Sequence, residues 1–259
     1  MIVDMHNHTT LCNHAQGSID DFVQTAIKNR IDVFGFSDHA PMNFDEKYRM
    51  RFDQMAHYEA KVLEAKKRYQ DKIKILLAYE VDFLEGLIDF RVLEANVDYL
   101  IGSVHFINHW GFDNPKFIGG YKDRNIDEIW EAYFEAIKQM AQSRLFDIVG
   151  HIDLIKIFNF LPKKEIKLIA QEAIKEIKKA DMVVEFNSAG YRKPIRELYP
   201  STEIIELLAE YDIPITFSSD AHQIDQINYK KNEAMALAKC YGYKKCAIFE
   251  NRVRKMVKF

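Results

Sequence analysis

The sequence predicts an α/β fold: a closed or nearly closed barrel of parallel strands with helices outside. Three observations predict it. Seven short apolar runs alternate with long amphipathic ones, the pattern of repeated strand–helix units. The short runs are apolar almost throughout, as strands are when both faces of a parallel sheet are buried. Metal-competent or hydrogen-bonding side chains stand at or just beyond the end of each of the seven runs, where a parallel barrel carries its active face.

The elements are justified in chain order. Residues 2–5 form the first expected strand. Ser18, three residues before Asp21, resembles a capping box opening a helix. Residues 33–37, 73–81 and 99–104 supply strands two to four. Residues 41–50 and 107–124 lack clear periodicity and read as long loops over the active face. A helix is expected over 127–144, with Ile129, Trp130, Tyr133, Phe134 and Ile137 on one side. After the strand 147–150, a second helix is expected over 163–179. Its apolar positions Ile166, Ile169, Ala170, Ala173, Ile174 and Ile177 follow helical spacing, with Lys and Glu on the other face. Strand 182–186 follows. Ser201, after Pro200, is a plausible N-cap for the next helix. Residues 213–218 form the seventh strand and 246–251 a final short one. No interior linker, low-complexity tract or repeat interrupts the chain, so residues 1–259 read as a single domain.

Composition removes several classes of function. With 48% hydrophobic and 29% charged residues, wholesale disorder is excluded. A net charge of -3 and a pI near 6.3 show no global basic excess, so no nucleic-acid partner is expected. No apolar stretch approaches the roughly 18 residues of a spanning helix, and the start MIVDMHNH does not read as a signal peptide. No membrane partner is expected. The three cysteines, Cys12, Cys240 and Cys246, are too sparse for a disulfide framework, and a reducing, cytoplasmic setting is expected. The oligomeric state stays open.

The histidines are the informative residues. His6, His8 and His14 follow the first strand, Asp38-His39 the second, and His105 the fourth. His151 ends the fifth, Asn187 the sixth, and Asp220 with His222 the seventh; Glu80 lies on the third. Residues i and i+2 on extended chain point the same way, so His6/His8 and Asp220/His222 each aim two ligands at one cavity. One His-x-His pair is weak evidence. Seven of nine histidines at strand ends, leaving only His57 and His109 elsewhere, point to a metal centre. Imidazole with carboxylate and without thiolate suits Zn, Mn or Fe(II). Glu80, a lone carboxylate among imidazoles, is placed to bridge two ions. Cys12 is expected to pack or line its loop. Arg192, directly after the sixth strand, is the natural fork for a phosphate or carboxylate. Its neighbour Lys193 reads as solvated, as do Lys66-Lys67-Arg68 and Lys178-Lys179. Lys156, five residues after His151, is a weaker candidate to face the pocket.

These residues resemble a known family. Asp4-Met5-His6-Asn7-His8, Ser37-Asp38-His39, Glu80, His105, Gly150-His151 and Ser219-Asp220-Ala221-His222 are similar to the ordered motifs of the polymerase-and-histidinol-phosphatase (PHP) superfamily. The segments Gly150-His151-Ile152-Asp153-Leu154, Glu185 through Lys193, and Glu197-Leu198-Tyr199-Pro200 are similar, more narrowly, to its histidinol-phosphate phosphatase branch. Ser37 stands where Thr is frequent, a difference that affects no ligand.

The resemblance implies a distorted TIM-like (β/α)7 barrel holding three divalent ions. His6, His8, Glu80 and Asp220 would hold the first; Glu80, His105 and His151 the second; His14, His39 and His222 the third. Arg192 would bind the substrate phosphate, with Lys156 as a further contact. The implied reaction is hydrolysis of L-histidinol phosphate in histidine biosynthesis, by attack of a hydroxide bridging two ions. Glu80, Asp38 and His39 stand nearest that chemistry. Glu185, Asp38 and Glu197 are candidates for the substrate's ammonium and imidazole, and Asp4 and Asp153 for support of the ligand rings. The rival readings are another PHP phosphoesterase (nucleotide, phosphotyrosine or exonuclease-type) and an amidohydrolase-type enzyme. The latter gives no role to Glu80 or to the cluster His14, His39 and His222.

Overall fold

The structure, a computed structural model, describes residues 1–122 and 124–259. Asp123, inside the expected loop 107–124, lies outside the described residues. Seven parallel strands pair in chain order: β1 (Val3–Asp4), β2 (Val33–His39), β3 (Lys74–Asp82), β4 (Tyr99–Ser103), β5 (Ile148–Val149), β6 (Val183–Asn187) and β7 (Ile215–Ser218). The last strand returns to the first. The Met5 N–H donates to the Phe217 carbonyl at 2.9 Å, and Asn7 bridges in parallel to Ala221. The result is the α/β, TIM-like barrel that the alternation of runs predicts. Tyr99 crosses its interior and donates its hydroxyl to the Met5 carbonyl. It can do so only because β2 carries glycine opposite: a Cβ on Gly35 would lie 1.8 Å from that hydroxyl oxygen.

The helices form where the apolar stripes said. In α1 (Ile19–Lys28), Ser18 Oγ accepts the Asp21 N–H at 3.1 Å and Asp21 accepts the Ser18 N–H at 2.9 Å, the expected reciprocal cap. Met55–Arg68 (α2) packs on β3. In α3 (Ile126–Ser143) the five expected apolar residues are buried. Ile166–Lys179 (α4) starts three residues later than the sequence suggests, because the N–H groups of Lys163 and Lys164 donate to Asp127 at 2.7 and 3.1 Å and stay outside the helix. Ser201 sits at the N-cap of α5 (Thr202–Glu210), but its side chain makes no capping bond; its backbone N–H goes to Asp153 at 2.7 Å. The last helix is α6 (Lys231–Cys240).

Two regions depart from the sequence reading. The expected single strand at 246–251 is a hairpin of β8 (Lys245–Glu250) and β9 (Val253–Lys258). The second strand was missed because it is largely exposed and shows no apolar face. The hairpin covers the end of the barrel where strands begin. Arg252 pairs with Asp147 before β5, and its N–H donates to the Asp98 carbonyl before β4. The loop 107–124 holds a small hairpin, Phe106–Ile107 with Trp110–Gly111, and a 3-10 turn, Pro115–Tyr121. These are too short to show a period. Among the described residues no helix is long and apolar enough to cross a membrane.

Candidate metal centre

Glu80 organises the rim. The β2–β3 register sets His39 beside it. Its Oε2 lies 3.2 Å from His6 Nε2, 3.6 Å from His8 Nε2 and 2.9 Å from His39 Nδ1. Its Oε1 lies 3.0 Å from His151 Nε2 and 3.7 Å from His105 Nε2, and accepts the Ser103 hydroxyl at 2.7 Å. Asp220 Oδ1 stands 3.1 Å from His8 Nε2. Four groups present converging ligand atoms within 4.8 Å of one another: His6, His8 and Glu80; Glu80, His105 and His151; His14, His39 and His222; and His8, Cys12 and His222. The last shares its two histidines with the others, and burial holds the Cys12 thiol well above its ordinary range, so the first three are the metal-competent sets. The imidazoles crowd closely, with the His8 and His222 ring centres 4.0 Å apart and those of His14 and His222 4.5 Å apart.

In five of these rings the other nitrogen is held from behind, whereas His151 Nδ1 is buried without a partner among the described residues. His6 Nδ1 meets Glu185 at 3.1 Å, His8 Nδ1 meets Asp38 at 3.3 Å and His105 Nδ1 meets Asp82 at 2.5 Å. His14 Nδ1 donates to the Cys12 carbonyl at 2.8 Å, and His222 Nδ1 to that of Asp220 at 3.1 Å. Such bonds fix the tautomer and aim the free nitrogen inward. The inward nitrogens of His6, His8 and His222 are buried and have no hydrogen-bond partner among the described residues. Buried polar atoms left unpaired in this way suit a ligand not drawn from the chain.

The electrostatics favour the same use. Burial, then the neighbouring imidazoles, hold His39 and His222 below the ordinary imidazole value despite Glu80 and Asp220, and bring His14 to about 4. These rings keep their lone pairs at neutral pH. Burial would raise the Glu80 and Asp220 carboxyls, but the surrounding imidazoles hold both well below the usual range. At His6, His8 and His105 burial is outweighed by the same carboxylates, with Glu185, Asp38 and Asp82 behind the rings. These three are held above the ordinary imidazole value, so an ion taken up there displaces protons. Imidazoles gathered around two carboxylates fit divalent Zn, Mn or Fe.

Asp220 reaches this set from a left-handed backbone turn, φ 51°, which Asp tolerates better than most residues. Arg192 steadies the turn: its Nη2 donates to the carbonyls of Ser219 and Asp220 at 2.8 and 3.0 Å. Its Nη1 is buried without a partner among the described residues, and the side chain lines the cavity of about 520 Å³ that opens above the ligands. Lys193 is exposed at the rim of the same cavity.

Several expected contacts lie elsewhere. Glu185 is fully buried behind His6, where it also accepts the His151 N–H and the Asn187 amide, both at 2.7 Å; it does not line the cavity. Asp38 is likewise buried, between His8, the His39 N–H and the Thr9 hydroxyl. Lys156 is 1% exposed and holds the Leu198 carbonyl at 2.7 Å and Asp153 at 3.0 Å, which turns its ammonium away from the cavity. Glu197 is tied to the same ammonium at 3.2 Å. Asp4 binds Ser219 and Asn7, and Asp153 binds Lys156 and Ser201, so neither supports a ligand ring. His57 and His109, the two histidines away from the strand ends, are exposed, and Cys12 is buried under its loop. The sequence reading missed Asp82, Arg49, Asp45 and Asp113, which line the cavity. Asp82 is two residues from Glu80 on one strand, so the alternation that paired His6 with His8 could have found it.

A barrel rim with these three ligand groups and an arginine beside them defines a metal-dependent hydrolase for phosphate esters. The chain belongs to the PHP domain family, which matches residues 4–189, and to its histidinol-phosphate phosphatase branch. A Deinococcus radiodurans protein named "Probable histidinol-phosphatase" is 34% identical over 239 residues, covering 90% of this chain and 91% of its own. The fold is similar to that of HisK from Listeria monocytogenes, with a TM-score of 0.82 at 25% identity, covering 89% of this chain and 99% of that one. It is also similar to histidinol phosphate phosphatase from Lactococcus lactis, whose structure holds Zn, L-histidinol and phosphate. There the TM-score is 0.77 at 21% identity, with 99% of each chain covered.

Proposed function

We propose that the protein hydrolyses L-histidinol phosphate to L-histidinol and phosphate, a step of histidine biosynthesis, with three divalent ions at the barrel rim. The observation that carries this reading is the Glu80 carboxylate, whose two oxygens face two different sets of imidazoles. The first ion would be held by His6, His8, Glu80 and Asp220, the second by Glu80, His105 and His151, and the third by His14, His39 and His222. When bound, such ions supply activated water at neutral pH and neutralise phosphoryl charge.

The chain's own residues supply the rest. Arg192 has Nη2 committed to two carbonyls and Nη1 free, so its fork is preset to take one phosphoryl oxygen at little entropic cost. Glu185 and Asp38 act through the rings they touch, holding His6 and His8 with the proton on Nδ1 and the lone pair inward. The cavity suits a small phosphorylated amino alcohol rather than a polymer, and its floor of carboxylate and imidazole would hold the ions that, with Arg192, neutralise phosphoryl charge before attack.

The test is metal counting on anaerobically purified protein, followed by kinetics. The reading expects three ions per chain and kcat/KM for L-histidinol phosphate well above that for nucleotides or bis-p-nitrophenyl phosphate. Preference for a nucleotide would move the protein to another PHP activity, and a metal-loaded protein without phosphatase activity would overturn the proposal.

A further inference from the structure

One buried cation has no part in the chemistry above. Arg49 lies in the segment between β2 and α2 and is 3% exposed. Its Nη1 donates to Asp82 Oδ2 at 2.8 Å, while Asp82 Oδ1 holds His105 Nδ1 on the other side. Asp82 is thus shared between a guanidinium and a ring that faces Glu80. The same guanidinium holds its own loop: Nε donates to the Asp45 carbonyl at 3.2 Å and Nη1 to the Ala40 carbonyl at 3.3 Å.

That loop touches the ligand groups from a second side. The Asn13 amide donates to the carbonyls of Lys47 and Arg49 at 3.3 and 3.0 Å, and the Tyr48 ring meets His14 edge-on at 5.8 Å. Part of its apolar underside forms a small cluster apart from the barrel core, where Met42 packs with Leu84 and Phe106 and Phe44 joins them, while Met50 at its far end is buried in the main core. Asp45, Tyr48 and Arg49 all line the cavity. The segment 41–50 is therefore a strap over the mouth, held at one end through Asp82 to His105 and at the other against His14. Between these ends, residues 43–48 are anchored by apolar contact only through Phe44 and its small cluster.

We propose that Arg49 is a positioning residue that acts through Asp82 on His105, and that it couples occupancy of the ion position at Glu80, His105 and His151 to closure of the 41–50 strap over the substrate cavity. The inference rests on the reading that these groups hold ions. Filling the position orients His105, which fixes Asp82, which holds Arg49 and with it the carbonyls of Ala40 and Asp45. The coupling is reciprocal, so loosening the strap weakens the ion. A lysine at 49 can neutralise Asp82 but cannot also reach both loop carbonyls, because it lacks the planar fork.

The experiment measures zinc affinity by chelator competition and hydrogen exchange of residues 41–50, with and without zinc, in the full-length wild type, Arg49→Lys and Arg49→Met. The expected wild-type result is slower exchange across 41–50 on zinc loading. Arg49→Met should lower the affinity of one zinc equivalent by about tenfold, the scale seen for groups behind metal ligands, and should remove the zinc-dependent protection. Arg49→Lys, which still neutralises Asp82 but cannot hold both loop carbonyls, should lose the protection while its affinity falls only part of the way toward that of Arg49→Met, a split that a purely structural role would not produce. Wild-type protein that binds zinc with no change in exchange over 41–50 overturns the coupling, whatever the variants do. Equal affinity in Arg49→Met and wild type overturns the route through Asp82. Wild-type protein that binds no zinc, manganese or iron would instead remove the proposed function on which the inference stands.

Discussion

Replacing Glu185 with glutamine tests how the ligand rings are set. The change alters no volume and removes one charge. In the native site Oε1 accepts two donors, the His151 N–H and the Asn187 amide, each at 2.7 Å. Oε2 faces His6 Nδ1 at 3.1 Å. A glutamine must keep its carbonyl toward the two donors, since the flipped amide would set N–H against N–H at both. Its NH2 group then faces His6 Nδ1, which must accept. The imidazole proton moves to Nε2, the nitrogen that stands 3.2 Å from Glu80 and serves the ion. The ring keeps its place but presents a proton instead of a lone pair. Losing the carboxylate behind a metal-binding histidine typically lowers metal affinity 10- to 100-fold, about 1.4 to 2.7 kcal/mol. Chelator competition should show that shift for one equivalent of metal. Excess metal should restore most of kcat/KM, because Glu185 does not line the cavity. An affinity within about twofold of wild type would refute the tautomer argument. So would a loss of activity that excess metal does not relieve.

Three other outcomes follow from the same structure. Arg192→Ala should reduce kcat/KM for the phosphate ester by about 10- to 100-fold, the worth of one charge-assisted bond. Arg192→Lys should recover only part of it, and unchanged kinetics in the alanine variant would exclude Arg192 from phosphate binding. In metal-stripped protein, burial opposes ionisation of His105 but Asp82 outweighs it and raises its pKa to about 10, above an unfolded value near 6.5. Its contribution to stability is then complete below pH 6.5 and is lost as pH rises toward 10. Denaturant midpoints with chelator should fall across that window, and a flat profile identical in Asp82→Asn would contradict the pairing. Gly35→Ala forces a methyl against the Tyr99 hydroxyl at 1.8 Å, with the Met5 carbonyl 3.0 Å away. Overpacking of about 1–3 kcal/mol should lower the melting temperature by several degrees, at about 2–4 °C per kcal/mol for a chain of this size. An unchanged melting temperature would mean that Tyr99 does not cross the barrel interior as described.

The barrel and the ligand rim were legible in the order of residues along the chain. Nearly continuous apolar runs require a sheet buried on both faces, and strand parity places His6 with His8 whatever surrounds them. What parity does not report is depth along the strand. Glu185 lies on β6, whose end faces the rim, yet it sits behind a ligand ring rather than in the cavity, and Asn187, two residues or about 6.6 Å further along the strand, is buried against it. Nor does sequence report which neighbour claims a polar group first. Lys156 was expected at the substrate, but Asp153 and the Leu198 carbonyl, brought beside it by another turn, take its ammonium. Arg49 gave no signal at all, because its meaning arises only where a strand far along the chain presents Asp82. Side-chain chemistry and period are local and can be read from one segment. Depth, partner and burial belong to pairs of segments, and only the folded chain assigns them.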